Sequence, residues 1–137
     1  MEIPKIEFDS WFRWRERGSI ENSEKHGVYM LSRSTTALHA PDPLDENVIY
    51  FGETCNQSLK RRWTQFDLSA FHGIRGHSGG STYRERFKDD GLELYVAAMP
   101  VLITDEQLRS SFIRFAERKL ILEYVVKWNR LPACNQK

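Results

Sequence analysis

The sequence predicts an α/β (α+β) fold, a small antiparallel three-stranded sheet flanked by helices. Two observations predict it. Short runs rich in β-branched and aromatic residues, Gly27-Val28-Tyr29-Met30-Leu31 and Asn47-Val48-Ile49-Tyr50-Phe51-Gly52, have the character of strands. The segments that follow instead repeat apolar residues at helical spacing, first Leu59, Trp63, Phe66 and Ala70, and later Ile113, Leu120, Ile121 and Tyr124. A chain of 137 residues is long enough for one such core and short for two.

Taken in order, residues 1–24 form an N-terminal extension in which Phe8, Trp11, Phe12 and Trp14 alternate with Arg13, Arg15 and Arg17. A short helix capped by Asp9 and ending at Gly18 is expected, its aromatics packed on the core. The domain proper is expected over 25–137. The stretch from Ser32 to Glu46, with Pro41-Asp42-Pro43, has turn chemistry and makes the first two strands an antiparallel pair. Asn56 is a candidate N-cap for a helix over 57–70. Gly73, Gly76, Gly79 and Gly80 break the chain into a loop, and a short helix from Thr82 to Asp90 pairs Tyr83 with Phe87 and stops at Gly91. Leu92 to Val101 is a third strand. Thr104-Asp105-Glu106-Gln107 has the form of a capping box opening a helical region over about 105–129, with a break expected near Ser110-Ser111.

Composition narrows the function classes. Charged residues make up 28% and apolar residues 40%, the balance of an ordinary globular protein. The apolar runs are cut by charges before they reach the ~20 residues of a membrane span, and the first residues lack a secretory pattern, so a cytoplasmic protein without a membrane partner is expected. Cys55 and Cys134 have no metal-ligand spacing and are expected as free thiols. The net charge is only +1, yet between Gln57 and Lys88 the basic residues Lys60, Arg61, Arg62, Arg75, Arg84, Arg86 and Lys88 face only Asp67 and Glu85. That excess is either a solvated helix face or the electrostatic footprint of a polyanion.

Several side chains break the pattern around them. Glu117 places a carboxylate inside the apolar stripe of the last helix, where it must shift its pKa, pair with a cation or bind a metal. Arg62 borders the stripe made by Leu59, Trp63 and Phe66, from which its guanidinium either pairs with Glu117 or clamps a phosphate. Tyr29 and Tyr50 sit on neighbouring strands, as core residues or as hydroxyls presented on one face. Asn135, beyond Pro132, looks by itself like tail.

A family resemblance changes the weight of these positions. Gly27-Val28-Tyr29, then Tyr50-Phe51-Gly52, then Leu59-Lys60-Arg61-Arg62 resemble the two tripeptides and the L-x-x-R helix of GIY-YIG nucleases. Glu117-Arg118-Lys119-Leu120-Ile121 is similar to the metal-binding glutamate motif of that family, and Pro132-Ala133-Cys134-Asn135 to its terminal P-x-x-N. The match spans nearly everything after residue 26, in family order. The resemblance implies a DNA endonuclease in which Tyr29 and Tyr50 act on the nucleophile side, one as general base, and Arg62 holds the scissile phosphate. It further implies that Glu117 binds one Mg²⁺ or Mn²⁺ and that Asn135 supports the site. His77, in Gly76-His77-Ser78-Gly79-Gly80, matches a family histidine that would orient the tyrosine or contact phosphate. Its glycines would let backbone amides approach that phosphate.

Phe66 stands where many members carry another histidine, and His72 is either its replacement or a surface residue. Positive charge from Arg62, His77 and the metal would lower a tyrosine pKa that is otherwise about 10. Lys60, Arg61, Arg75, Arg84 and Arg86 would steer DNA. A catalytically weak nucleic-acid-binding module on the same fold is the alternative; an interaction domain in which Arg62 and Glu117 merely pair is a third reading. A homodimer is compatible with all of them.

Overall fold

The computed structural model describes residues 2–33, 40–87 and 94–137. It is an α+β arrangement in three layers built on one antiparallel sheet. The strands are β1 (Phe12–Arg13), β2 (Gly27–Arg33), β3 (Val48–Thr54) and β4 (Leu94–Pro100), in spatial order β1-β4-β2-β3. Helices α1 (Leu59–His72) and α2 (Ser78–Phe87) cover one face, and α3 (Glu106–Trp128) covers the other.

The sheet therefore has four strands rather than the expected three. The fourth comes from the N-terminal segment, where Phe12 pairs with Val96 and Arg13 with Tyr95. A 3₁₀ turn, Trp14–Ser19, follows in place of an α-helix, and the Asp9 amide donates to the Ala98 carbonyl instead of Asp9 acting as a cap. The aromatics do pack inward. Trp14 is buried, meets Phe66 edge-on and donates its indole N–H to Asp67 Oδ1 at 2.7 Å.

Alternation along β2 sorts the core into its two halves. Tyr29 and Leu31 face α1 and α2 with Trp63, Phe66 and Tyr83, while Val28 and Met30 face α3 with Ile113, Leu120 and Tyr124. Opposite Leu31 and Ser32 the register shifts, pairing Tyr50 and Val48 and leaving Ile49 as the extra residue of a bulge. The bulge lets Tyr50 share the Tyr29 face although Val48 packs towards α3. Beyond β3, the outer edge of the sheet, Cys134 N–H donates to the Ile49 carbonyl, and Asn135 bonds both the amide and the carbonyl of Phe51. The C-terminal segment thus satisfies an edge that would otherwise be open.

Helix ends differ from expectation by local chemistry. Helix α1 starts at Leu59 because the Ser58 hydroxyl accepts from Arg61 N–H at 3.0 Å, so Ser58 and not Asn56 is the cap. Helix α3 is capped by Asp105, whose carboxylate accepts from Leu108 N–H at 2.9 Å, so the box on Thr104 does not form. It runs unbroken through Ser110-Ser111 and ends at Asn129 in the left-handed region.

The largest difference is at α2, which begins at Ser78 and takes Gly79 and Gly80 into its first turn. A Cβ on Gly80 would lie 2.8 Å from the Phe66 carbonyl oxygen and 2.8 Å from Ser69 Cβ, so glycine there permits close contact of α1 and α2. Tyr83 and Phe87 stack as expected, with centroids 5.1 Å apart. The expected helix stop at Gly91, the strand start at Leu92 and Lys88 lie outside the described residues, as do residues 34–39 of the β2–β3 connection. Both cysteines are buried and free. Among the described residues no helix is long and apolar enough to cross a membrane.

Candidate functional site

The site grows from the register of β2 on β3. Tyr29 lies opposite Gly52 and Leu31 opposite Tyr50, so the two tyrosines are diagonal neighbours on one face, with ring centroids 6.0 Å apart. A Cβ on Gly52 would be 2.4 Å from Tyr29 Cζ and 2.6 Å from its hydroxyl. The absence of a side chain at Gly52 is what lets the Tyr29 ring lie across β3. Gly79 does the same for Tyr50, since a Cβ there would stand 2.5 Å from the Tyr50 ring.

His77 closes the arrangement from the start of α2. Its Nδ1 faces the Gly80 N–H at 3.1 Å and its Nε2 faces Tyr29 Oη at 2.9 Å. An amide N–H can only donate, so Nδ1 must accept, and the proton of the neutral ring resides on Nε2. His77 therefore donates to Tyr29. The Tyr29 and Tyr50 hydroxyls also act on each other, an interaction that pushes the Tyr29 pKa up. A line of donors thus runs from the Gly80 amide through His77 to Tyr29. Tyr29 is fully buried, whereas Tyr50 is half-buried.

The charges around the pair depart from expectation in one respect. Burial, followed by the neighbouring Arg62 charge, drives His77 down to about 3, so at neutral pH it supplies a hydrogen bond and no positive charge. Arg62 does lower both tyrosines, but burial outweighs it. Tyr29 is raised well above its ordinary value, and Tyr50 to about 12. The Glu117 carboxylate also raises both, so it stands within electrostatic reach of the two hydroxyls although it comes from α3.

Arg62 and Glu117 do not pair with each other, and neither makes an ion pair among the described residues. Arg62 is held by Gln65, whose Oε1 accepts from its Nη1 at 2.7 Å, and more loosely by the Gly76 carbonyl at 3.5 Å. Gln65 is fixed in turn by two reciprocal amide bonds with Gln57, at 3.0 and 2.9 Å. Among the described residues most of the guanidinium donors of Arg62 have no protein acceptor, the condition for gripping a phosphate.

Glu117 is half-buried and its carboxyl is raised to about 7, by burial first and by Glu53 second, with Arg118 opposing. Glu53, on the α3 face of β3, accepts from the Cys55 thiol at 3.0 Å. Two carboxylates that feel each other suit a hard divalent ion. No trio of His, Cys, Asp or Glu converges among the described residues, so such an ion would keep much of its shell as water or substrate oxygen, as Mg²⁺ commonly does.

The remaining expected residues fall into separate groups. Asn135 bonds only backbone, clamping β3 one residue after Tyr50. Phe66 is wholly buried, edge-on to His77 at 5.2 Å and 6.4 Å from Tyr50, so an apolar ring fills the position of the missing histidine. His72 is 59% exposed at the far end of α1, facing Asp67 at 3.7 Å, and joins no contact with the tyrosines among the described residues. Lys60 and Arg61 lie exposed on the first turn of α1, beside Arg62, and Arg75 lies exposed before His77. Arg84 leans back on α1, its Nη1 reaching the Ala70 carbonyl at 3.5 Å, and Arg86 is on the Cys134 side.

Gln57, Gln65 and Glu53 escaped the sequence reading because polar residues near a helix start or strand end look like surface. Only the spacing of Gln65, three residues after Arg62 on one helix face, signalled its role. Comparison with known proteins found no family model, curated protein or solved structure that matches the chain.

Proposed function

We propose that the protein is a metal-dependent DNA endonuclease of GIY-YIG type, hydrolysing phosphodiester bonds at the Tyr29–Tyr50–Arg62–Glu117 cluster. The observation that supports the proposal is that two neighbouring tyrosine hydroxyls feel both the charge of Arg62, from one face of the sheet, and that of Glu117, from the helix on the other, while neither charge is ion-paired among the described residues. Each of these groups is costly in a purely structural role. A half-buried carboxylate that no ion pair satisfies among the described residues is costly to keep if stability alone is at stake.

In this reading Tyr50, the more exposed hydroxyl, faces the attacking water. The neighbouring Arg62 charge favours the ionised form needed to take the proton of that water. Tyr29 and His77 are positioning residues, because the fixed tautomer of His77 leaves the Tyr29 proton free to point at Tyr50. Arg62 grips the non-bridging oxygens of the scissile phosphate and stabilises the charge that grows on them. Glu117, with Glu53 beside it, would hold a Mg²⁺ or Mn²⁺ ion, which when bound supplies positive charge for the leaving oxygen. Lys60, Arg61 and Arg75 flank Arg62 and would follow the phosphate backbone.

The burial of Phe66 at the expected histidine position favours a second reading, a nucleic-acid-binding module of low activity. Incubation with radiolabelled duplex in Mg²⁺ separates the two. Cleavage lost in Arg62→Ala supports the enzyme. Salt-sensitive binding without cleavage supports the module.

A further inference from the structure

Arg62 is held in place by a polar network that reaches well beyond its own helix. Its Nη1 donates to Gln65 Oε1 at 2.7 Å, and because a guanidinium can only donate, Gln65 must turn its carboxamide oxygen towards it. The Gln65 nitrogen then faces Gln57, donating to Oε1 at 2.9 Å, and Gln57 returns its own nitrogen to Gln65 Oε1 at 3.0 Å. Both acceptor sites of Gln65 Oε1 are thereby used. Gln57 is anchored in turn by its backbone. Its carbonyl accepts from His26 Nδ1 at 2.8 Å and from Thr54 Oγ1 at 2.6 Å, and its amide donates to Thr54 Oγ1 at 3.3 Å. A carbonyl can only accept, so Nδ1 of His26 carries a proton. His26 immediately precedes β2, and Thr54 ends β3. The network therefore ties the guanidinium to the two strands that carry Tyr29 and Tyr50.

We propose that Gln57 and Gln65 are positioning residues, a neutral buttress that orders the Arg62 guanidinium for phosphate before any substrate arrives. Arg62 has no ion-pair partner among the described residues. A glutamate in place of Gln65 would orient the fork equally well and cancel the charge that a phosphate must meet. A carboxamide orients the fork and leaves that charge intact. Helix α1 is seated by Leu59, Trp63, Phe66 and Ala70 in the core, whereas Gln57, Gln65 and Arg62 are only half-buried, so the network serves the side chain rather than the helix. Ordering an arginine in the free protein removes a rotamer cost that would otherwise fall on the transition state. The kinetic consequence rests on the nuclease reading; the ordering of Arg62 does not.

Two readouts on the full chain test the buttress. The first is the NMR spectrum of the Arg62 guanidinium in the free, metal-free protein, assigned by its disappearance in Arg62→Ala. Bonding to Gln65 slows rotation of the guanidinium, so separate Nη signals are expected in wild type. They should merge in Gln65→Ala and also in Gln57→Ala, which removes no atom that touches Arg62, and stay separate in Gln65→Glu. The second is single-turnover cleavage of a duplex in Mg²⁺. Gln65→Ala and Gln57→Ala should lower the rate at saturating DNA by about 10–100-fold, with the half-saturating concentration within about 3-fold of wild type. Gln65→Glu, ordered but neutralised, should also raise the dissociation constant for DNA at least about 10-fold. Merged signals in wild type, separate signals that persist in both alanine variants, or cleavage unchanged in them overturn the proposal and leave the nuclease reading standing. Signals that behave as expected in a wild type that cuts no DNA support the positioning and overturn the nuclease reading alone.

Discussion

Replacing Glu117 by glutamine makes the protein more stable while removing its response to Mg²⁺. The carboxyl is raised from 4.5 to about 7, so folding is penalised by keeping this group ionised. At pH 8 a gap of this size corresponds to about 3 kcal/mol if fully felt. Screening by the water that reaches this half-exposed side chain reduces it to about 1–2 kcal/mol. The sign follows from which state loses its proton first. Folding raises the pKa, so the unfolded chain ionises first, and the contribution to stability is intact below pH 4.5 and lost as pH rises through 7. Glutamine keeps the shape without the charge. In EDTA at pH 8, Glu117→Gln should therefore melt about 4–7 °C above wild type, and at pH 4 the two should coincide. Adding Mg²⁺ at about 100 times its dissociation constant should then stabilise wild type by about 2.7 kcal/mol and leave the variant unmoved. Thermal unfolding followed by circular dichroism reads all four conditions. Equal stability at pH 8, or an equal Mg²⁺ response in both proteins, would refute the reasoning.

Other consequences follow from the same geometry. His77 is held near 3 instead of 6.5, so in a Glu117→Gln background stability should rise with pH between those values by up to about 1.4 kcal/mol per unit, and a urea-unfolding series lacking that slope would contradict its buried neutral state. Gly80→Ala should cost about 1–3 kcal/mol by forcing α1 and α2 apart, while Gly18→Ala, with nothing within 4 Å of the new methyl, should stay within about 0.5 kcal/mol; denaturant midpoints compare them. Arg62→Lys keeps the charge and loses the planar fork, so kcat for DNA cleavage should fall about 100-fold with KM little changed, as single-turnover rates would show.

The central strands were legible because their signals were local. Val28 to Leu31 and Val48 to Phe51 combine strand chemistry with turn residues between them, and the tripeptides mark where Tyr29 and Tyr50 stand. Glu117 was legible for a different reason, as a carboxylate in an apolar stripe. What failed depended on distant partners. A two-residue strand at Phe12 and Arg13 has no pattern of its own and exists because β4 has a free edge. Gly79 and Gly80 look like loop because glycine weakens helices, yet close packing on Phe66, Ser69 and Tyr50 requires them inside one. Glu53 and Gln65 acquire meaning only beside Glu117 and Arg62.

The central claim is that these groups converge in order to cut DNA. Incubating supercoiled plasmid with the purified chain in Mg²⁺, Mn²⁺ or EDTA, alongside Glu117→Gln and Tyr50→Phe, tests it most directly. The account predicts nicking or linearisation that needs the metal and falls at least about 100-fold in either variant. Intact plasmid after prolonged incubation with folded wild type in both metals, or cleavage that both variants retain, would contradict it.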